Sequence, residues 1–338
     1  MSSYEDDIRR IMFSRNVWVA IKKQAAMAGQ LAMAGKCPME IIERLLGKKT
    51  VFTGAVDHTR MAWKALQEFL QMPPPRTPLF NGAGLPEVAQ LIMRSKRIVV
   101  VAGAGISVSC GVPDFRGISG LYKMLKMKYP MLDYPEQVFN LDFFDVHPEL
   151  FYEVAKELYP AGLRPSLTHQ FFALLEKRNK LLRMYTQNVD TLEEKAGINN
   201  VVYCHGSFAT ATCRTCGVQV EGAKIERKIL AQKVPHCKRC KALGQVSVMK
   251  PDITFFGESL PAEFFHYISV DMERLDLLLV VGTSLKVNPV SLIPDSVPLN
   301  VPRVLINCDK VEQTFDIDII CRCDDAVSQL MEMMGEKL

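Results

Sequence analysis

No apolar run in this 338-residue chain approaches the ~18 residues that a membrane-spanning helix requires. The longest, IVVVAGAGI at 98–106 and LLLVV at 277–281, fall well short. The chain also lacks a surplus of either charge. Its 41 Lys and Arg stand against 37 Asp and Glu, and the formal +4 that results is too small to argue by itself for nucleic-acid binding. No secretory leader is evident: MSSYEDDIRR opens acidic and polar without a following apolar block, which fits neither a secretion signal nor an Arg-rich transit peptide. The expected compartment is the nucleus, with the cytoplasm as the alternative. Internal repeats and low-complexity tracts are missing, and 20 Gly and 19 Pro are too few for a fibrous or disordered chain. What remains is a globular sequence, 48% hydrophobic, long enough for about two domains of ~150 residues.

Cysteine is the residue that is not scarce. Ten in a chain without a secretory leader point to metal binding or catalysis rather than to a disulfide framework. Cys213, Cys216, Cys237 and Cys240 form CxxC, a gap of twenty residues and a second CxxC. Two such knuckles bring four thiolates to one tetrahedral site, which Zn²⁺ fills with no open position, so the metal is expected to be structural. Cys37, Cys110, Cys204, Cys308, Cys321 and Cys323 show no comparable spacing.

Residues 1–72 read as a helical module. Over 17–46 apolar positions recur at three and four, interrupted by GKCP, where Pro38 must end one helix and can open the next. Another helical stretch at 58–70 stops at MPPPRTP. Three consecutive prolines make a stiff extended spacer, so 73–84 reads as a proline-rich linker. From 85 to 338 short apolar runs alternate with amphipathic segments. Strands are expected at 97–103, 181–188, 201–206, 276–284 and 303–309, and a helix from 165 with Ser166 or Thr168 as its cap. Runs apolar on both faces suit a parallel sheet with helices on both sides. Ligands of such sheets bind beyond the carboxyl ends of the strands, which directs attention to the residues ending these five runs.

After the first run comes GAGISVSCGVPDFRG at 103–117. Gly103 and Gly105 allow a tight turn and a close approach of main-chain N–H groups to a pyrophosphate. The stretch is not GxGxxG, and no acidic residue ends an obvious second strand about twenty residues on. Taken alone, it reads equally well as a structural turn or a phosphate site. Its continuation, with Asp114 and Arg116 held near the loop by Pro113, is what a hydride-transfer enzyme has no need for. In order, GAGISVSCGVPDFR, TQNVD at 186–190, CHGS at 204–207, the CxxC pairs, MKPDITFFGE at 249–258, GTSLKVNPV at 282–290 and LINCD at 305–309 resemble the sirtuins, a family of NAD-dependent protein deacylases. SVSCGVPDFR, CHGSFATATC, SLKVNPVSLIP and the late CxCDD resemble most the branch of class I that holds the yeast founding member and the vertebrate nuclear deacetylase. The helical stretch with Trp18 and Trp63 resembles that branch's amino-terminal module. The implied fold is α/β: a Rossmann-like parallel sheet with helices on both faces, a small zinc lobe inserted at about 207–250 of a catalytic core over 85–338, and the helical module in front.

The resemblance also implies roles. In sirtuins the acyl-lysine oxygen attacks C1′ of the nicotinamide ribose and nicotinamide leaves. A histidine then deprotonates a ribose hydroxyl, and water releases lysine and 2′-O-acyl-ADP-ribose, so NAD is consumed. His205 matches that base, and an unperturbed imidazole is mostly neutral at pH 7. Gln187 and Asn188 match ribose contacts, and the neutral amide of Asn188 adds no charge beside a developing oxocarbenium. Asp114 and Asp190 match the nicotinamide pocket. Ala104, Phe115 and Arg116 match the loop over the cofactor, where Phe115 shields the reacting carbon, and Ser107 and Tyr122 complete the implied cofactor set around it. Gly282, Thr283 and Ser284 match phosphate and ribose contacts, Asn307, Cys308 and Asp309 the adenosine end, and Cys323 the adenine. Asp252, Thr254, Phe255, Phe256, Gly257 and Val287 are the expected substrate contacts, with FFGE and LKVNP holding the peptide as a strand between two strands.

Two stretches depart from the pattern. Cys308 and Asp309 stand where close relatives often carry Arg and Glu, and Thr254 replaces the commoner Val. Asp114, where desuccinylating members carry Thr, implies small neutral acyl groups. The function implied is NAD-dependent protein-lysine deacetylation of histones and other nuclear proteins, with mono-ADP-ribosyl transfer or a non-catalytic chromatin scaffold as alternatives. The run 221–241 carries seven Lys and Arg against Glu221 and Glu226, which reads as a solvated face in preference to a nucleic-acid surface. The acidic carboxyl-terminal stretch, with Asp309, Glu312, Asp316, Asp318, Asp324 and Asp325, suits basic tails such as those of histones, and the helical module suits protein partners.

Overall fold

The computed structural model describes residues 78–80, 82–115, 117 and 120–336. The helical module expected over 1–72 and the first part of the expected linker lie outside them, as does Arg116. From Pro78 onward the chain forms one compact unit. Its strands are β1 Ile98–Ala102, β2 Leu181–Thr186, β3 Val201–Tyr203, β4 Gly206–Cys213, β5 Gln219–Glu221, β6 Met249–Ile253, β7 Leu277–Val281, β8 Arg303–Asn307 and β9 Ile317–Ile320. Six of them make a sheet in the order β3-β2-β1-β7-β8-β9, with every pairing parallel.

The expected α/β architecture follows from the period of two in β1. Ile98, Val100 and Ala102 pack under the helices Leu85–Arg94, Leu167–Lys177 and Cys323–Met334, while Val99 and Val101 face Phe264 and Met272 of helix Ala262–Arg274. All five β1 side chains are fully buried, and burying each Val or Ile is worth ~1.5–3 kcal/mol. A run without a polar break is therefore most stable at the sheet's centre. From β1 the chain proceeds to β2 and β3 on one side and later to β7, β8 and β9 on the other. The order reverses between β1 and β7, the position at which open α/β sheets form a crevice.

The five expected strands are all present, but they end two to three residues early at β2, β3, β7 and β8. Polar residues leave the ladder there, and Gly206 and Gly282 adopt left-handed conformations (φ 64° and 63°) that turn the chain. β9 was not expected. Its burial alternates, Ile317 and Ile319 inward and Asp318 and Ile320 outward, as befits an edge strand. Ser166, not Thr168, caps helix Leu167–Lys177 by accepting from the His169 N–H at 3.3 Å. Thr168 lies inside the first turn, and its N–H and hydroxyl donate to Asp324 Oδ1 at 3.0 and 2.6 Å.

The smaller sheet is antiparallel, β5-β4-β6, and carries the helix Ala223–Leu230 and both cysteine pairs. Its apolar side joins a third core built on Phe139, Phe144, Phe151, Tyr152 and Phe255. Among the described residues no helix is long and apolar enough to cross a membrane.

Candidate active site

Beyond the carboxyl ends of β1, β2, β7 and β8 lies a cleft of about 1000 Å³. Its floor is a contact between two loops. Gly105 N–H donates to the Gly282 oxygen at 2.8 Å. A Cβ on Gly105 would stand 2.6 Å from Gly282 Cα, and one on Gly103 would stand 2.7 Å from Thr283 Cβ. Only glycine lets the loops meet this closely, leaving main-chain groups of Gly103, Ala104, Gly105 and Gly282 at the surface of the cleft. Gln187 spans the switch point: its N–H donates to the Ala102 oxygen at 2.9 Å and its Nε2 to Thr283 Oγ1 at 2.8 Å.

His205 occupies the turn between β3 and β4. Its Nδ1 lies 3.2 Å from the main-chain oxygen of Gln187. A carbonyl can only accept, so Nδ1 carries the hydrogen and Nε2 presents a lone pair. Nε2 is buried and without a partner among the described residues, and the residue lines the cleft. Burial lowers the imidazole pKa below its ordinary 6.5, with the Gln187 hydrogen bond opposing. The ring is therefore neutral at pH 7 and free to accept a proton.

Asn188 lines the cleft beside it, with Nδ2 donating to Ser107 Oγ at 3.2 Å. Ser107 and Asp190 are both buried and stand behind the wall, outside the lining set. Asp114 lies in the cleft, where its Oδ1 accepts from Gly117 N–H at 3.0 Å. The Phe115 ring leans on Tyr122 and Phe139, with centroids 5.6 and 5.9 Å away, and so forms part of an apolar wall. At the far end Asn307 Nδ2 donates to the Asp309 oxygen at 2.7 Å. That bond closes a turn that exposes Cys308, and Cys323 opens the carboxyl-terminal helix with its side chain buried.

The expected substrate loops border the cleft. Neither 255–258 nor 285–289 lies in a sheet; Phe256 makes only an isolated parallel bridge to Asn140, and Leu285 has φ 49°. Phe255 is 1% exposed and packs against Phe139, Phe144 and Phe151, whereas Phe256 is 43% exposed. Glu258 fixes this loop by accepting from Phe255 N–H and from Lys250 Nζ, both at 2.8 Å. Thr254, Gly257, Ser284 and Val287 line the cleft. Asp252 instead receives Thr210 Oγ1 and Gln219 Nε2 at 2.5 and 2.8 Å, which makes it a brace of the small sheet.

The four sulfurs of Cys213, Cys216, Cys237 and Cys240 lie within 4.8 Å of one another. Cys213–Cys240 and Cys216–Cys237 are separated by 3.6 and 3.7 Å. Ligands at a Zn–S length of ~2.3 Å stand ~3.8 Å apart in a tetrahedron, so the set fits zinc without rearrangement. Burial opposes ionisation of Cys213, but N–H groups of Cys216 and Thr215 and the Ser247 hydroxyl face its sulfur and bring the thiol down to about 6.

A Sir2 family model matches residues 103–289, more than half of the chain, from the glycine loop to the LKVNP loop. The chain belongs to the Sir2 family. Similar proteins include NAD-dependent protein deacetylase sirtuin-1 of Homo sapiens, 41% identical over 307 residues that cover 90% of this chain and 41% of the relative. The rat sirtuin-1 is 41% identical over 304 residues, covering 90% and 54%. NAD-dependent histone deacetylase SIR2 of Candida albicans is 44% identical over 258 residues, covering 74% and 49%. The chain thus spans about half the length, or less, of these curated relatives.

Some residues that line this cleft carry no signal in the sequence. Lys286, Lys310 and Arg322 line the cleft and give it cations. Arg322 follows β9, the strand that was not expected. His169 and Glu193 lie behind Asn188, and no motif spacing connects them.

Proposed function

We propose that this chain is an NAD-dependent protein-lysine deacetylase, converting acyl-lysine, NAD and water to lysine, nicotinamide and 2′-O-acyl-ADP-ribose. The observation that carries this reading is the His205 ring at the wall of the cleft, oriented by the Gln187 carbonyl so that the buried Nε2 keeps an unpartnered lone pair. Such a group suits a general base acting on a ribose hydroxyl. NAD, consumed as co-substrate, would supply the ribose carbon that receives the acyl oxygen. The glycine contact of the Gly103–Gly105 turn with Gly282, and the cations Lys286 and Arg322, suit its pyrophosphate. Asn188 and Gln187 would hold the ribose, and Asp114 with Asp190 behind it the nicotinamide. Phe115 and Tyr122 would exclude water, and Ser284, Asn307, Cys308, Asp309 and Cys323 would take the adenosine side. Thr254, Phe256, Gly257 and Val287 would contact the acyl-lysine peptide, with Phe255 supporting them from the core. Four thiolates would hold a structural zinc.

The division into a helical module over 1–72, a linker over 73–84 and a catalytic core over 85–338 with a zinc lobe at about 207–250 belongs to the same reading. Histone tails are proposed substrates and the nucleus the proposed compartment, since relatives from Candida albicans and Drosophila melanogaster are named histone deacetylases. Incubating the chain with acetylated peptide and NAD should release nicotinamide and deacetylated peptide in equal amounts, and His205→Ala should lower turnover to both by at least about 10²-fold. Consumption of NAD with the acetyl group retained would assign ADP-ribosyl transfer instead.

A further inference from the structure

Behind Asn188 lies a polar cluster that the proposed chemistry does not use. His169 from helix Leu167–Lys177, Asp190 from the turn after β2 and Glu193 from the short helix Leu192–Lys195 bring their ligand atoms within 4.8 Å of one another, all buried. His169 and Glu193 have no exposed surface, and two of their atoms in this cluster, His169 Nε2 and Glu193 Oε2, lack a partner among the described residues. A divalent cation is the obvious occupant, but the ring excludes it. The main-chain N–H of Ser166 donates to His169 Nδ1 at 3.2 Å, so the hydrogen of the neutral ring sits on Nε2 and the ring keeps no free lone pair for a metal. Burial, partly offset by Asp324, keeps this ring neutral by lowering it to about 4.

The cluster therefore holds a proton. Two buried carboxylates this close cannot both ionise. Burial raises the Asp190 carboxyl, but Leu192 N–H at 3.0 Å, the Ser107 hydroxyl and Lys195 pull it back. Among the side chains of the described residues, Glu193 receives only the Thr186 hydroxyl, at 2.5 Å. Burial and the charge of Asp190 push it up to about 8. The groups facing Glu193 are Asp190, Glu194 and His169, with Tyr203 on β3 and Cys204 beyond it; Lys195 and Asp324 act at one remove.

Both arms of the cluster end on Asn188. The Thr186 hydroxyl that donates to Glu193 accepts the Asn188 main-chain N–H at 3.1 Å. Ser107, bound to Asp190, accepts from the Asn188 carboxamide at 3.2 Å. We infer that Glu193, held as a neutral carboxylic acid, is a positioning residue that through the Thr186 hydroxyl fixes the main chain of Asn188, and with it the carboxamide that Asn188 presents to the cleft. This rests on the deacetylase reading for its catalytic consequence, and on geometry alone for the placement of Asn188. Ionisation of Glu193 beside Asp190 would repel that carboxylate and pull Thr186 and Asn188 out of place.

The test compares the full chain with Glu193→Gln and Glu193→Ala. The unsubstituted protein at pH 7 should show the infrared carbonyl band of a protonated carboxyl, and Glu193→Gln should lack it. The side-chain amide signal of Asn188 in ¹⁵N NMR should hold its position in Glu193→Gln and move in Glu193→Ala. With acetylated peptide and NAD, Glu193→Gln should keep kcat near that of the parent and lose its fall above about pH 8. Glu193→Ala should lose about 10²-fold in kcat, the scale of a 1 Å misplacement, with KM for NAD little changed. Should Glu193→Ala not fold, Thr186→Val cuts the same arm. A missing band, or a Glu193→Gln protein as impaired as Glu193→Ala, overturns the inference. A chain with the band and the amide shift that releases no nicotinamide supports this placement and overturns the deacetylase reading instead.

Discussion

The imidazole Nδ1 of His205 stands 3.2 Å from the main-chain oxygen of Gln187, a partner that side-chain substitution leaves in place. Because burial is the larger influence and lowers the ring's pKa, the base stays neutral at pH values where an exposed histidine would be half protonated. The acid limb of nicotinamide release should therefore fall below pH 6.5. A limb at or above 6.5 would mean that the ring is solvated, and the proposed orientation would fail. His205→Ala should reduce release by at least about 10²-fold, the lower range for a lost general base.

His169 links folding to pH. Its folded pKa of about 4 lies below the ordinary 6.5, so the unfolded chain binds the proton more readily between these values. Stability is then unaffected by this group above about pH 6.5 and falls as the pH drops toward 4, by up to about 3 kcal/mol. Melting temperatures across that window, compared with those of His169→Gln, isolate the contribution. Parallel curves for the two proteins would show that the ring is not buried neutral.

Removal of zinc should unfold the small lobe. Binding by four thiolates contributes on the order of 10 kcal/mol to structures of this kind, and it ties the turn after β4 to the short helix that starts after Cys237. Incubation with a chelator, or Cys240→Ser, should expose the lobe to protease, release one zinc per chain and abolish deacetylation. An intact, active chain free of metal would refute a structural role.

Phe255 and Phe256, adjacent in sequence, should behave oppositely. Phe255→Ala removes a ring packed against three others and should cost about 3–5 kcal/mol of stability. Phe256→Ala, at an exposed position, should leave the melting temperature within a few degrees and raise KM for acetylated peptide. Equal effects of the two on stability would contradict the assigned burial.

Much of this protein can be read without coordinates because its signals are local. The unbroken apolar runs at 98–102 and 277–281 specify strands buried on both faces, the CxxC spacing specifies a four-thiolate site, and the small and polar residues after each strand mark the cleft. β9 was missed because DIDII is short and half exposed, and its role depends on pairing with β8. The true strand ends were equally invisible, since they depend on where Gly206 and Gly282 turn.

What the sequence by itself determined is the five buried strands of the large sheet and the chemistry at their ends, because propensity, period and ligand spacing act over a few residues. What only the tertiary structure decided is which distant groups meet. His169, Asp190 and Glu193 come from different elements, and the turn of His205 reaches Gln187 only because β3 lies beside β2. Packing of helices across a parallel sheet creates these encounters, and burial then sets the protonation that the cleft requires.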